Sequence, residues 1–483
     1  MRRNSPSHVK NARTGTTRSS DAQVFSVEPG QRAQIGFALV AGVFFFVVIL
    51  KLGNPVILDS LATPPKTFVE AIYESWPLKW GYQLAIPLFA CGLLAILARL
   101  TSAAIPGEPA APHQPEKAQP SPLSPRLLWS FLLLPAIWLA WQFVSAAHSV
   151  NPSLTRVTLG HFTMSVALFY LGYFALSGVK NPWPLWIGLT LALVWVVHTG
   201  LDQHFGGLEA TRKMVTSSPE WKNASPDYVK RIQSNRIFST FMYPNALAGG
   251  LLLLLPLSLV FLWFLTPKVP INGRRAFVAI LAACSLACLY WSGSKGGWLI
   301  ALAVGLIALL HSPIPGRWKQ KIIAATIILG LLGFAVRYAK FFQRGATSVV
   351  ARFDYWAVAL QSAEAHPLFG TGPGTFSVPY GHWQAAHPKA EMARLTHNDF
   401  LEQLSDSGLI GFGAFSVWII GNLIILYRYS KNFTSPQQIF HFSVWLGLLA
   451  LFLQSTVEFH LYYPAFAWTT FFLMGWMFSV INS

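Results

Sequence analysis

Long apolar runs recur along the chain, separated by short polar breaks. They predict helices near Ile35–Leu50, Trp80–Ala98, Leu127–Val144, Phe162–Leu176, Leu185–Thr199 and Phe241–Leu265. Six more are predicted near Phe277–Trp291, Trp298–Leu310, Ile322–Val336, Leu409–Leu426, Phe440–Val457 and Ala465–Ile481. Most reach, or fall slightly short of, the roughly 20 residues that cross a bilayer's hydrocarbon layer. The pattern is that of an all-α, polytopic integral membrane protein with about twelve transmembrane helices. A large outer loop, Arg337–Ser407, has helical periodicity and turn glycines, and so is expected to fold and be partly helical.

The polar breaks carry a direction. With the N-terminus inside, the inner segments hold 18 of the 35 basic residues and 4 of the 18 acidic ones, a net of +14. Short inner loops rich in Lys and Arg set orientation, so both termini are expected in the cytoplasm. Residues 1–34 read as a basic cytoplasmic tail, and 35–483 as one transmembrane domain whose first span is an uncleaved anchor. The stretch Ala103–Pro125 reads as a Pro-rich inner linker. Asn223, Ala224 and Ser225 match a glycosylation sequon too short to carry weight.

Composition agrees with this pattern. Only 11% of residues are charged, against about 25% in soluble domains. The formal charge of +17 is mostly a topology signal, so no nucleic-acid partner is expected. Cys91, Cys284 and Cys288 lie inside apolar runs and form neither a disulfide framework nor a metal knuckle. The spans hold almost no ionisable residue at mid-depth, which argues against an ion-coupled transporter.

Candidate chemistry collects in the outer segments. Arg236 precedes Pro244-Asn245 at a helix start, where an arginine either serves a site or snorkels to lipid phosphates. Ser292 to Gly297 make a tight hairpin with one cation, Lys295, which suits an anion site or a plain turn. Arg352 opens an amphipathic helix leading to a glycine-rich turn between His366 and Gly374. Thr396 and Asp399 have capping-box-like spacing, which would put His397 in a first helical turn, where the helix dipole disfavours the imidazolium. Such a histidine is either a structural cap or a base. His382, His387, Glu391 and His397 fit no zinc spacing.

Taken in order, these pieces resemble the O-antigen ligase and polymerase family of bacterial membrane glycosyltransferases. The pieces are Arg236 with Pro244-Asn245, Ser292 to Gly296, Arg352 with Pro367 to Phe376, and His397-Asn398 through Leu401 to Asp406-Ser407-Gly408. The resemblance spans roughly 152–483. It implies an enzyme with no metal and no cofactor, in the bacterial inner membrane with its active face periplasmic. Such an enzyme moves a glycan from undecaprenyl diphosphate to an acceptor hydroxyl, inverting the anomeric centre. Its partners would be a lipid-linked glycan donor, a glycolipid or glycan acceptor, and membrane lipids. The resemblance assigns Arg236 to the diphosphate and His397 to acceptor activation, and puts Lys295 where ligases often have a second arginine. Arg352, Asn245 and Asn398 join them as substrate-binding residues. Lysine keeps the charge but loses the bidentate fork. A repeat-unit polymerase, a protein O-oligosaccharyltransferase and a lipid-linked glycan transporter stay open as alternatives.

Overall fold

The computed structural model describes residues 29–104, 124–177, 179, 181–217, 229, 233–265, 269–343, 347–431 and 435–481. Most of the basic tail, nearly all of the Pro-rich stretch and the sequon lie outside them. Among the described residues there are helices and no strand. The helices are α1 (Pro29–Lys51), α2 (Phe68–Tyr73), α3 (Leu78–Ala104), α4 (Pro125–Ala146), α5 (Pro152–Ala175), α6 (Trp183–Asp202), α7 (Leu208–Thr216) and α8 (Pro244–Leu265). There follow α9 (Ile271–Ser292), α10 (Lys295–His311), α11 (Gly316–Gln343), α12 (Thr347–Ala365), α13 (Ser377–Ala386), α14 (Asp399–Ser430), α15 (Pro436–Gln454) and α16 (Pro464–Ile481).

Eleven of these are long and apolar enough to cross a membrane, and α10 is a shorter apolar helix. Each of the twelve expected spans falls on one of them. Proline in the first turn recurs because its missing N–H has no helical partner there. Side chains of Ser124, Asn151 and Ser435 cap α4, α5 and α15 by accepting from Leu127, Leu154 and Gln438 N–H groups.

The centre of the bundle is α16, whose residues are all buried. It lies along α5 at backbone contact: a Cβ on Gly475 would stand 1.9 Å from the Phe169 carbonyl, and one on Gly172 2.3 Å from that of Phe472. Small residues allow this approach, and dispersion and close packing stabilise it where lipid offers no hydrophobic gain. Around the pair pack α1, α3, α4, α14 and α15.

The large loop is ordered. Helices α12 and α13 share a small core of their own, built on Tyr355, Val358, Phe376 and Tyr380. One expectation changes here. The span expected at Leu409–Leu426 does not begin at Leu409: α14 starts at Asp399 and runs on through a kink at Gly408, where φ is 66°. Its first turns carry Asp399, Glu402 and Asp406, all buried, so acidic groups do enter the packed bundle.

Candidate functional site

A cavity of about 1210 Å³ opens at the end of the bundle where α8 and α10 begin and α9, α11 and α15 end. Arg236, Lys295, Arg352, Arg394, Asn245 and His397 line it, with Glu458 among them. Ile57, Leu58, Leu61, Leu299, Phe334 and Phe342 supply an apolar wall.

The hairpin between α9 and α10 places Arg236. Helix α9 stops because Gly293 takes the left-handed conformation (φ 63°), and Ser294 then caps α10 by accepting from the Gly297 N–H. The stop leaves the Ser292 carbonyl free to accept from Arg236 Nε at 2.7 Å. A side chain at 293 would be strained and would put its Cβ 3.1 Å from the same Nε. Arg236 Nη2 donates to Asn245 Oδ1, also at 2.7 Å, on the first turn of α8. Burial lowers this guanidinium's pKa, and Glu458 works in the opposite direction.

Glu458 is the hub. It is almost wholly buried, in the link between α15 and α16. Its Oε1 accepts from Arg352 Nη2 and from Asn245 Nδ2, each at 2.5 Å, and its Oε2 lies 3.1 Å from His397 Nδ1. Burial alone would raise this carboxyl. His397 and Arg352 outweigh it and hold the group down at about 2. Arg352 is fixed further by the Val457 and Ser348 carbonyls, at 3.0 and 2.6 Å.

His397 sits ahead of α14, not in its first turn. The cap is Asn398, whose Oδ1 accepts from the Phe400 and Leu401 N–H groups at 3.0 and 3.1 Å. The Thr396 hydroxyl bonds the Asn398 carbonyl instead of capping, and Glu402 accepts from the Thr396 N–H. His397 therefore takes a left-handed backbone, φ 54°. For a residue with a side chain that costs about 1–2 kcal/mol, and such outliers cluster at functional sites. Its ring stacks on Tyr355 and meets the edge of Phe459, with centroids at 5.6 and 4.6 Å. With Nδ1 donating to the carboxylate, the neutral ring keeps its lone pair on Nε2.

The structure thus brings together Arg236, Asn245, Lys295, Arg352 and His397, while Asn398 has its side-chain oxygen committed to the cap. Lys295 lies with Nζ 3.8 Å from the centre of the Phe341 ring. The glycine turn does not present its N–H groups to the cavity: those of Gly372 and Gly374 go to the Asp406 carbonyl and carboxylate, at 2.8 and 2.6 Å. Sequence reasoning missed Glu458. The signal was an acid between two strongly apolar runs, a place where a carboxylate needs a partner.

The family described as O-antigen ligase matches residues 280–416, which take in Lys295, Arg352 and His397 but neither Arg236 nor Glu458. A Haemophilus influenzae protein described as uncharacterized is 30% identical over 168 residues, which is 30% of this chain and 41% of that relative. The chain therefore spans about two-fifths of the length of the relative it matches. Over the matched stretch, 280–416, this chain is similar to the O-antigen ligase family.

Proposed function

We propose that this protein is a membrane glycosyltransferase that transfers a glycan from undecaprenyl diphosphate to an acceptor hydroxyl. One observation carries the reading: a single cavity holds Arg236, Lys295 and Arg352 beside a histidine whose Nδ1 is engaged by a buried carboxylate. In the proposed reaction the acceptor oxygen attacks the anomeric carbon as His397 Nε2 takes its proton. The bond from that carbon to the diphosphate oxygen breaks, and the diphosphate leaves on its lipid. The three cations stabilise the charge developing on the leaving group, an effect strongest where the donors are already in place. Glu458 holds the ring and stabilises the imidazolium that forms. Direct displacement inverts the anomeric centre.

The reading places the cavity on the periplasmic face of the inner membrane, with both termini cytoplasmic. A Gln384→Cys variant lacking native cysteines should then react with an impermeant thiol reagent added from the periplasm. Labelling only after membrane disruption would overturn the placement. The acceptor class is read from the glycolipids of a deletion strain. Free lipid core without long glycan identifies a ligase, and core bearing one repeat unit identifies a polymerase. Core with normal long glycan but unglycosylated protein identifies an O-oligosaccharyltransferase. Purified protein that moves the lipid-linked glycan across a vesicle but transfers nothing would sink the enzyme reading in favour of transport.

A further inference from the structure

A second concavity, of about 520 Å³, lies away from the cationic cavity, between α3, α4 and α5. Helices α3 and α4 both pack on α5 without being close neighbours of each other, which leaves a cleft along the α5 surface. Tyr82 and Phe89 of α3 form one wall, Phe143 of α4 the other, and α5 the floor from Arg156 past Gly160 to Ala167. A Cβ on Gly160 would meet only the Tyr82 side chain, with the hydroxyl nearest at 3.1 Å. The space above that glycine is therefore the cleft's own.

Two features say what fills it. The first is length. Arg156 and Ala167 are eleven residues apart on one helix, about 16 Å, which is close to half of a hydrocarbon core about 30 Å thick. The cleft is one leaflet deep. The second is charge. The walls are almost wholly apolar, and the one charged residue of the lining, Arg156, stands near the start of α5. That start is tied to the cavity end of the bundle: the Val150 N–H donates to the Thr371 carbonyl, and the Thr155 hydroxyl to that of Pro373. Arg156 is exposed and, among the described residues, is in none of the ion pairs. An apolar trough one leaflet deep, with an uncompensated guanidinium at its mouth, complements an acyl chain attached to an anionic phosphate head.

We infer that this cleft binds one anionic glycerophospholipid from the leaflet at the cavity end of the bundle. The phosphate sits on Arg156 and an acyl chain lies over Gly160 between α3 and α4. The lipid supplies the packing those two helices do not give each other. The site is independent of the glycosyltransferase reading, because it uses none of the residues around Glu458.

The test is native mass spectrometry of the full-length protein in detergent, titrated in turn with phosphatidylglycerol, phosphatidylcholine and lipid A. One phosphatidylglycerol per chain is expected to persist on the wild type, and Arg156→Gln should weaken it about five- to tenfold. Gly160→Leu should remove it by filling the trough, and Arg428→Gln should leave it unchanged. Arg156 is exposed, so its variant keeps the test open even if Gly160→Leu misfolds. Equal retention of phosphatidylcholine, preferred retention of lipid A, or wild-type retention by Arg156→Gln would each overturn the assignment.

Discussion

One buried carboxylate of the α15–α16 link and three in the first turns of α14 are satisfied in opposite ways. Glu458 is surrounded by side-chain donors: Arg352 directly, Arg236 through Asn245, and His397 on its other oxygen. Asp399, Glu402 and Asp406 form no ion pair among the described residues. They accept instead from the Leu461, Thr396 and Gly374 N–H groups and from the Tyr462 hydroxyl. Glu458 lines the cavity, whereas those three tie the glycine turn and the α15–α16 link to α14. A carboxylate bound by backbone donors fixes the chain's course and has little left to offer a substrate. One bound by side-chain donors organises groups that can themselves act. On this contrast, losses at the Glu458 cluster should appear in turnover, and losses at the α14 cluster in stability.

The largest effect should come from His397→Gln, which keeps size and hydrogen bonding but cannot take a proton at neutral pH. Turnover of the purified enzyme should fall about 100- to 10,000-fold, with melting temperature and binding of the lipid-linked donor close to wild type. Near-normal turnover would leave His397 no role as a base. Next comes Arg236→Ala, which should lower transfer about 100- to 1,000-fold. Lys295→Ala should cost nearly as much, and Lys295→Arg should keep part of the activity. The Arg236→Ala, Lys295→Ala double variant should lose far less than the product of the single losses, since both cations meet one diphosphate. Fully multiplicative losses would mean that they serve different groups.

Glu458→Gln sharpens the contrast, because it should affect both readouts. Turnover should drop less than in His397→Gln, and stability should fall by about 3–5 kcal/mol, the usual result of removing one partner of a buried ion pair. The pH dependence has a definite sign. The folded carboxyl is held at about 2 against an ordinary 4.5. Its stabilising contribution is therefore complete above about pH 4.5 and is lost as pH falls toward 2. The melting-temperature gap between wild type and variant should stay constant from pH 8 to 5 and close only below that. A gap closing between pH 7 and 6 would place the titration elsewhere. The smallest effect on chemistry is expected from Asp406→Asn, which should cost about 1–3 kcal/mol of stability while the folded fraction turns over normally. A stable Asp406→Asn protein without activity would dissolve the division between the two clusters.

Much of this was legible in the sequence, for physical reasons. A span must satisfy its own backbone in lipid, so apolar runs mark helices with little competition, and all twelve coincide with one. The hairpin at Ser292–Gly297 was legible because only glycine takes the left-handed turn readily. The Glu458 hub was not, since its meaning lies in contacts to Asn245 and Arg352, more than a hundred residues away. His397 was misplaced by one local competition: Asn398 caps better from its own position than Thr396 does from two residues earlier. The burial of the α14 acids is not legible either, because a carboxylate in sequence looks the same whether it meets water or an N–H group.

The buried position of α16 has a consequence for biogenesis. Fifteen of the described helices precede it in the chain, yet it occupies their middle, with its backbone seated against α5. Until α16 is made and inserted, α5 carries an open face whose close-approach glycine has nothing to meet, and the earlier helices surround an unfilled slot. Maturation is thus gated by a late insertion event, and an arrested nascent chain would expose its interior to lipid and to quality-control proteases.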